Sequence, residues 1–417
     1  MKPRSFRTIV ATSIAAILLA ASAQAAQAPA EISIGTLYAS TGPYATSSEP
    51  EYSGLKYWVD EMNHGGGVFV KAFNKKIPLK LISYDDQSST TTATTLYNQL
   101  ITQNKVNILV ADFGSVLTSV AVPLAQEHHQ LLIDTSGTGA SFFSPDNPYI
   151  VLTSLPTSGV WPTTLASFLN SQSKTIKRVA ILYDSNDFDQ SQAVTLRRLL
   201  MKAHNDPVYY KAVPSSTSNY TVLLHTIAAQ KPGAVIEFGY PNNDIAFLQA
   251  MSSSGLHLPM VFTVFPGQLL TLLRKNVGPE ALAYTYTYPT PPLLKYNRVN
   301  FGPGIDAFEA AYKKATGKDV NFLTVAGYNA GLVIQKALET APDLTQLSLR
   351  KAISGFSGSL MTLNGRFKIN AEGAQIGEEL PVGQLQPVSG QKDNKMVVVH
   401  PKDVATGKFI YPAPAGH

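Results

Sequence analysis

The sequence predicts an α/β protein built from two doubly wound, parallel-sheet units. Three observations carry that expectation. Short apolar strands alternate with single helical stretches, a rhythm that implies right-handed crossovers between parallel strands. The rhythm pauses at Leu155 and Pro156 and then restarts. The length of 417 residues, even without an N-terminal leader, is more than one ordinary core holds.

The elements follow in order. Residues 32–38 form a first strand, with Ile32 and Ile34 spaced by two. Residues 51–63 read as a helix, ended by Gly65, Gly66 and Gly67. A strand at 79–84, a helix at 91–103, a strand at 106–110, a helix at 117–128 and a strand at 131–133 complete the first run. The second run opens with a helix at 161–170, a strand at 178–183, a helix at 190–204 and a strand at 208–213. It continues with a helix at 220–230, a strand at 234–238, a helix at 245–253 and a strand at 260–264. Further helices are expected at 307–315, 324–340 and 347–354. The tail from Gly383 is rich in Gly, Pro and Lys and only weakly patterned.

The N-terminus has a separate logic. Lys2, Arg4 and Arg7 precede an apolar run at 9–21 that only Thr12 and Ser13 interrupt. Ala23 and Ala25 then supply small residues at the two positions a signal peptidase reads. This pattern predicts a cleaved secretory signal over 1–25, with Ala26 as the first mature residue. A buried N-terminal helix is the competing reading. No later apolar run is long enough to span a bilayer.

Composition narrows the function. The chain has no cysteine, so disulfides, Cys-based metal sites, a thiol nucleophile and a lipid-bearing N-terminal Cys are all excluded. A free periplasmic protein is therefore expected. The formal charge of +5 falls to +2 once Lys2, Arg4 and Arg7 leave with the signal. That balance gives no reason to expect nucleic acid.

Chemistry-bearing motifs are scarce. There is no Gly-x-Ser-x-Gly elbow, no phosphate-binding Gly-rich loop and no His-Glu-x-x-His. His128 and His129 are adjacent and would diverge by about 100° on a helix. Residues 184–189 resemble a calcium loop but lack its Gly and closing Glu, which favours a solvated, N-capped turn. Asp85 and Asp86 would face opposite ways on a strand, which favours loop hydrogen bonding over a catalytic pair. No metal, cofactor or catalytic residue is expected.

The order of motifs resembles the type I periplasmic solute-binding proteins of ABC importers, specifically the branched-chain amino-acid (Leu/Ile/Val) binding group. The pieces are Ile32-x-Ile34-Gly35, then Ser40 to Pro43, then Tyr52-x-Gly54. Asn63-x-Gly65-Gly66-Gly67-Val68 and Tyr84-Asp85-Asp86 follow. Later come Arg178 to Asp184, Phe238-Gly239-Tyr240 and Ala326 to Gly331. The likeness spans nearly the whole mature chain.

The resemblance implies two lobes joined by three crossings. One lobe would take 26–155 plus 287–377, the other 156–286 plus 378–417. The ligand would lie between them, beyond the carboxyl ends of the strands. The family's carboxylate-accepting Ser falls on Ser115, and its next loop on Ser136 and Thr138. Hydroxyls and free amides at helix starts suit a carboxylate whatever the family; plain helix capping is the alternative. In the second lobe the family Tyr falls on Tyr240, and a second aromatic on Phe188. A first-lobe aromatic falls on Ser47, which opens space. The Glu that would pair with an α-ammonium falls on Val264, and 260–267 holds no acid. Asp112, Glu237 and Asp187 are the nearest acids that could replace it.

The resemblance therefore implies a monomeric, non-catalytic periplasmic receptor. It would hand a small amino acid or other small carboxylate to an inner-membrane ABC permease. A sensor of the same fold is one rival and a secreted α/β hydrolase another. The missing elbow and metal motif count against the hydrolase.

Overall fold

The computed structural model describes residues 27–296 and 298–414. The expected signal and its cleavage junction lie outside the described residues.

The first run supplies β1 (Ile32–Tyr38), α1 (Ala45–His64), β2 (Val68–Val70), β3 (Lys75–Ile77), β4 (Leu79–Asp85) and α2 (Thr90–Thr102). It continues through β5 (Ile108–Val110), α3 (Gly114–Glu127), β6 (Leu132–Asp134) and β7 (Ile150–Leu152). Five of these strands form a parallel sheet in the order β4-β1-β5-β6-β7. The order reverses at β1, so a crevice opens beyond the carboxyl ends of β1 and β5. Strands β2 and β3 make a small antiparallel pair of their own.

The second run supplies α4 (Pro162–Ser171), β8 (Val179–Asp184), α5 (Asp187–Lys202), β9 (Tyr209–Val213), α6 (Thr221–Ala229) and β10 (Ala234–Phe238). It goes on to α7 (Pro241–Ser254), β11 (Val261–Phe262), α8 (Leu270–Leu282) and β12 (Tyr286–Thr287). Then come α9 (Ile305–Thr316), α10 (Phe322–Thr340), α11 (Gln346–Phe356), β13 (Leu360–Thr362) and β14 (Gly365–Phe367). β15 (Val382–Pro387) and β16 (Asn394–His400) close the chain. The second sheet runs β16-β15-β12-β11-β10-β8-β9. It is parallel from β9 to β12 and antiparallel across β15 and β16. Its order reverses at β8, so a second crevice lies beyond β8 and β10.

Helix α10 explains why the chain returns to the first sheet. A Cβ on Gly327 would strike the backbone of Glu51 and Leu55, and one on Gly54 the backbone of Thr324. Only glycine lets α1 and α10 approach this closely. Val325, Tyr328 and Val333 then share an apolar core with Ile32, Ile34 and Val110 of the first sheet. Phe322 and Leu323, at the start of α10, belong instead to the core of the second sheet. The helix thus ties the two cores together.

Several elements differ from the expectation. The weakly patterned tail forms β15 and β16. There Gln384 is fully buried, with its amide nitrogen donating to the Tyr284 and Ile410 carbonyls. Buried polar residues break the apolar alternation that marks a strand. Helix α8 was not expected, since Gly278 and Pro279 interrupt its pattern and Gly278 has φ +81°. The short strands β7 and β12 carry too little sequence to stand out. Helix α1 starts at Ala45 rather than 51 and carries Pro50 inside it.

Residues 184–189 do form an N-capped turn, in which the Asn186 side chain accepts from the Asp189 amide at 3.0 Å. The turn is solvated at Ser185 and Asp187, as expected, while Asp184 and Asp189 on either side of it are buried. Asp85 and Asp86 serve loop geometry: Asp85 accepts from the Ser40 and Gln87 amides, and Asp86 from that of Ser88. Among the described residues no helix is long and apolar enough to cross a membrane.

Candidate functional site

The two crevices face each other across one partly open space of about 320 Å³, part of it continuous with solvent. The first-sheet side begins where β5 ends. Phe113 precedes α3 without a side-chain cap, so the first amides of the helix find their partners outside it, the Ser115 amide on Tyr240 Oη at 3.1 Å. Gly114 has φ +74° and its amide donates to Ser136 Oγ at 3.0 Å. Ser115 follows, buried, with its hydroxyl facing no hydrogen-bond partner. After β6, Asp134 accepts from the Gly137 amide at 2.6 Å and shapes the loop carrying Ser136 and Thr138. The Thr138 hydroxyl is also buried without a partner. Ser154 and Leu155, just past β7, complete this side.

The second-sheet side is aromatic. The Asn186 cap starts α5 and turns Phe188 inward. Tyr240 precedes α7, with Pro241 favouring the helical turn after it. Trp161, Phe188, Tyr240 and Phe265 form a continuous wall. Successive ring centroids are 5.1, 5.3 and 6.4 Å apart. Trp161 Nε1 donates to the Pro156 carbonyl at 2.7 Å, so its polar edge is satisfied away from the space. Gln268, Phe322 and Leu323 finish the lining.

Five of the seven expected ligand positions meet here: Ser115, Ser136, Thr138, Phe188 and Tyr240. Val264 does not line the space. It is fully buried in the second core, where its carbonyl accepts from Thr287 Oγ1 at 2.8 Å. Its neighbour Phe265 takes the wall position, because a tight turn over Phe265–Gly267 presents that side chain instead. Ser47 is also absent from the lining. The early start of α1 places it, buried, on the inner face of that helix. An aromatic ring still approaches from this side, since Tyr44 packs on Tyr240 with centroids 5.5 Å apart.

None of the described lining residues is Asp, Glu, Lys, Arg or His. The three acids considered as replacements lie elsewhere. Asp112 is buried and accepts from Ser48 Oγ at 2.5 Å and the Phe113 amide at 2.6 Å, so it positions the start of α3. Glu237 is buried behind the aromatic wall. Asp187 is exposed and accepts from Ser141 Oγ at 3.1 Å. Burial pushes the carboxyls of Asp112 and Glu237 well above the usual range. Among the described residues, no three His, Cys, Asp or Glu side chains are grouped to hold a metal.

Sequence reasoning missed Phe113, Trp161, Phe265, Gln268, Phe322 and Leu323. Trp161 is one of only two tryptophans in the chain and opens the second run, so it carried a usable signal. The others lie in loops or at helix starts, where apolar residues show no period.

Comparison with known proteins agrees with this architecture. A family model described as periplasmic binding protein matches residues 31–393. A Leu/Ile/Val-binding protein homolog 7 from Brucella melitensis biotype 1 is 23% identical over 97% of this chain and 99% of its own length. A branched-chain amino acid transporter substrate binding protein from Streptococcus pneumoniae, solved in complex with isoleucine, is similar in fold. Its TM-score is 0.73 at 17% identity, over 88% of this chain and 100% of that one. An ABC transporter solute binding protein from R. palustris, solved in complex with benzoate, has a TM-score of 0.71 at 16% identity. That likeness covers 89% of this chain and 98% of the other. With its family model spanning most of the chain, two doubly wound sheets and a shared cavity between them, this chain belongs to the periplasmic binding protein family.

Proposed function

We propose that this chain is the periplasmic receptor of an ABC importer and captures a small organic carboxylate that lacks an α-ammonium. One observation carries the reading: the lining combines hydroxyls and the start of α3 on one side with rings on the other, and contains no acid. A carboxylate would rest on Ser115 at the start of α3, where helix amides favour an anion once Tyr240 gives way, and on Ser136 and Thr138 in the loop after β6. A branched or aromatic body would lie against Phe188, Tyr240 and Phe265. An ammonium would find no carboxylate there. Leaving it buried and unpaired costs about 3–5 kcal/mol, more than two decades of affinity. The isoleucine-bound and benzoate-bound proteins of similar fold bracket the choice, and the acid-free lining favours the second kind of ligand.

The lobes in this reading are 26–155 plus 287–377 and 156–286 plus 378–417. They close around the ligand by bending at the three crossings between them. The protein acts outside the cytoplasmic membrane as a free monomer and delivers its cargo to the permease. Calorimetry with leucine and its keto acid, 4-methyl-2-oxopentanoate, tests the ligand class, with benzoate as a third probe. The keto acid or benzoate should bind more than tenfold tighter than leucine. A tenfold preference for leucine overturns the assignment.

A further inference from the structure

We infer that Gln268 is a specificity-determining residue, whose side-chain amide donates a hydrogen bond to a second oxygen on a ring-bearing carboxylate. The inference rests on the carboxylate reading above and extends it to a feature of the ligand which that reading leaves open.

Gln268 is only 4% exposed, and its side chain lines the ligand space. Its backbone is held at both ends. The amide donates to the Phe265 carbonyl at 2.9 Å, and the carbonyl accepts from the Phe322 amide at 3.3 Å. The preceding residue is also fixed, since the Gly267 amide donates to Thr287 Oγ1 at 2.9 Å. The backbone from which the side chain projects is therefore fixed at the edge of the space. Its Nε2 is buried and has no hydrogen-bond partner. A buried donor left unmade is costly, and native proteins rarely keep one without a use.

The other orphaned groups in the lining are the hydroxyls of Ser115 and Thr138. Both lie on the first-sheet side, where the α3 amides attract the carboxylate. Gln268 follows β11 and belongs to the second-sheet side. Its neighbours Trp161, Phe265, Phe322 and Leu323 offer no side-chain acceptor. A ligand held by both sides must then bring its own acceptor to Nε2, apart from the carboxylate. The aromatic wall places a ring between the two. A ring hydroxyl, methoxy or keto oxygen has the required chemistry. A methyl group of similar size would leave Nε2 unmade, and sites built to bond a substrate oxygen discriminate strongly against analogues without one.

The experiment uses the full mature chain and calorimetry. The probes are benzoate and the three hydroxybenzoates, each paired with the methylbenzoate substituted at the same ring position. One hydroxybenzoate should bind at least about tenfold tighter than its methyl partner. In Gln268→Met, which keeps the length and loses the donor, that ratio should fall to near one. The wild-type comparison alone tests the inference if the variant does not fold. If benzoate binds but every hydroxyl–methyl pair binds equally, the inference is overturned and the carboxylate reading survives. A ratio unchanged in Gln268→Met moves the discrimination to another residue and also overturns it. If no ring acid binds, the inference falls, and the keto-acid comparison decides the carboxylate reading separately.

Discussion

Tyr240 Oη accepts a hydrogen bond from the Ser115 backbone amide at 3.1 Å, linking the second-sheet side of the cavity to the first. The Tyr240 hydroxyl also faces the amide of Val116. These are first-turn amides of α3, and Tyr240 occupies the place at which a carboxylate would meet them. Burial holds the Tyr240 hydroxyl neutral, so it acts as a weak stand-in for an anion. Two more bonds hold the same closed arrangement, from Asn242 Nδ2 to the Pro43 carbonyl at 3.0 Å and from Ser141 Oγ to Asp187 at 3.1 Å.

Removing the Tyr240 hydroxyl should loosen this closure without unfolding the protein. A typical hydrogen bond contributes about 0.5–1.5 kcal/mol, so Tyr240→Phe should shift the open–closed balance roughly two- to tenfold. Small-angle scattering of the unliganded variant should give a larger radius of gyration than wild type. An identical scattering curve would show that other contacts set the closure.

Ser115→Ala and Thr138→Ala probe the opposite side. Each hydroxyl is buried and without a partner, and in the proposed reading each meets a charged oxygen of the ligand. A hydrogen bond to a charged group contributes about 1.5–3 kcal/mol. Carboxylate affinity should drop about tenfold or more in each variant, with the melting temperature of the unliganded protein nearly unchanged. Wild-type affinity in both would reduce these hydroxyls to local packing.

Much of this arrangement could be read from the sequence because strands and helices announce themselves by period. Ser115, Ser136, Thr138, Phe188 and Tyr240 all follow strands that were recognised, so placing the strands placed them. Gln268, Phe265 and Phe322 lie on a tight turn or a helix start, where nothing periodic marks an inward side chain. Val264 and Phe265 show how a one-residue difference in a turn exchanges a wall position for a core one. β15 and β16 escaped for a different reason: buried Gln384 satisfies its amide within the fold, and such pairing is invisible until the chain is folded.

Gly114 tests how closely the two sides must approach. Its φ of +74° is strained for any other L-residue, and an added Cβ would sit 3.1 Å from Tyr240 Oη and 3.2 Å from its ring. Gly114→Ala should therefore cost about 1–2 kcal/mol from the backbone alone. The crowding at Tyr240 adds to that. Thermal denaturation should reveal the loss, and Gly114→Ala made on a Tyr240→Ala background should cost less by the part due to crowding. A melting temperature equal to wild type would mean the α3 start is softer than its geometry implies.

Eight buried carboxyls surround the cavity without lining it: Glu51, Asp86, Asp112 and Asp134 on one side, Asp184, Asp189, Glu237 and Asp244 on the other. Among the described salt bridges none involves these groups. Burial is the largest cause of every shift, and every shift is upward. Asp86 is raised to about 6, Glu51 and Asp244 to about 7, and Asp184 to about 8. The other four are raised well above the ordinary carboxyl range. A carboxyl with a raised folded-state pKa binds its proton more tightly when folded. Its contribution to stability is complete below about 4, the unfolded value, and is lost as pH rises through the folded value. The melting temperature should thus fall steadily from pH 5 to pH 8.5, the reverse of an acid-sensitive protein. Asp184→Asn removes a carboxyl whose two oxygens lack partners, and should flatten that fall. A melting temperature that rises with pH, in wild type and variant alike, would require these acids to be ionised and paired in the folded protein.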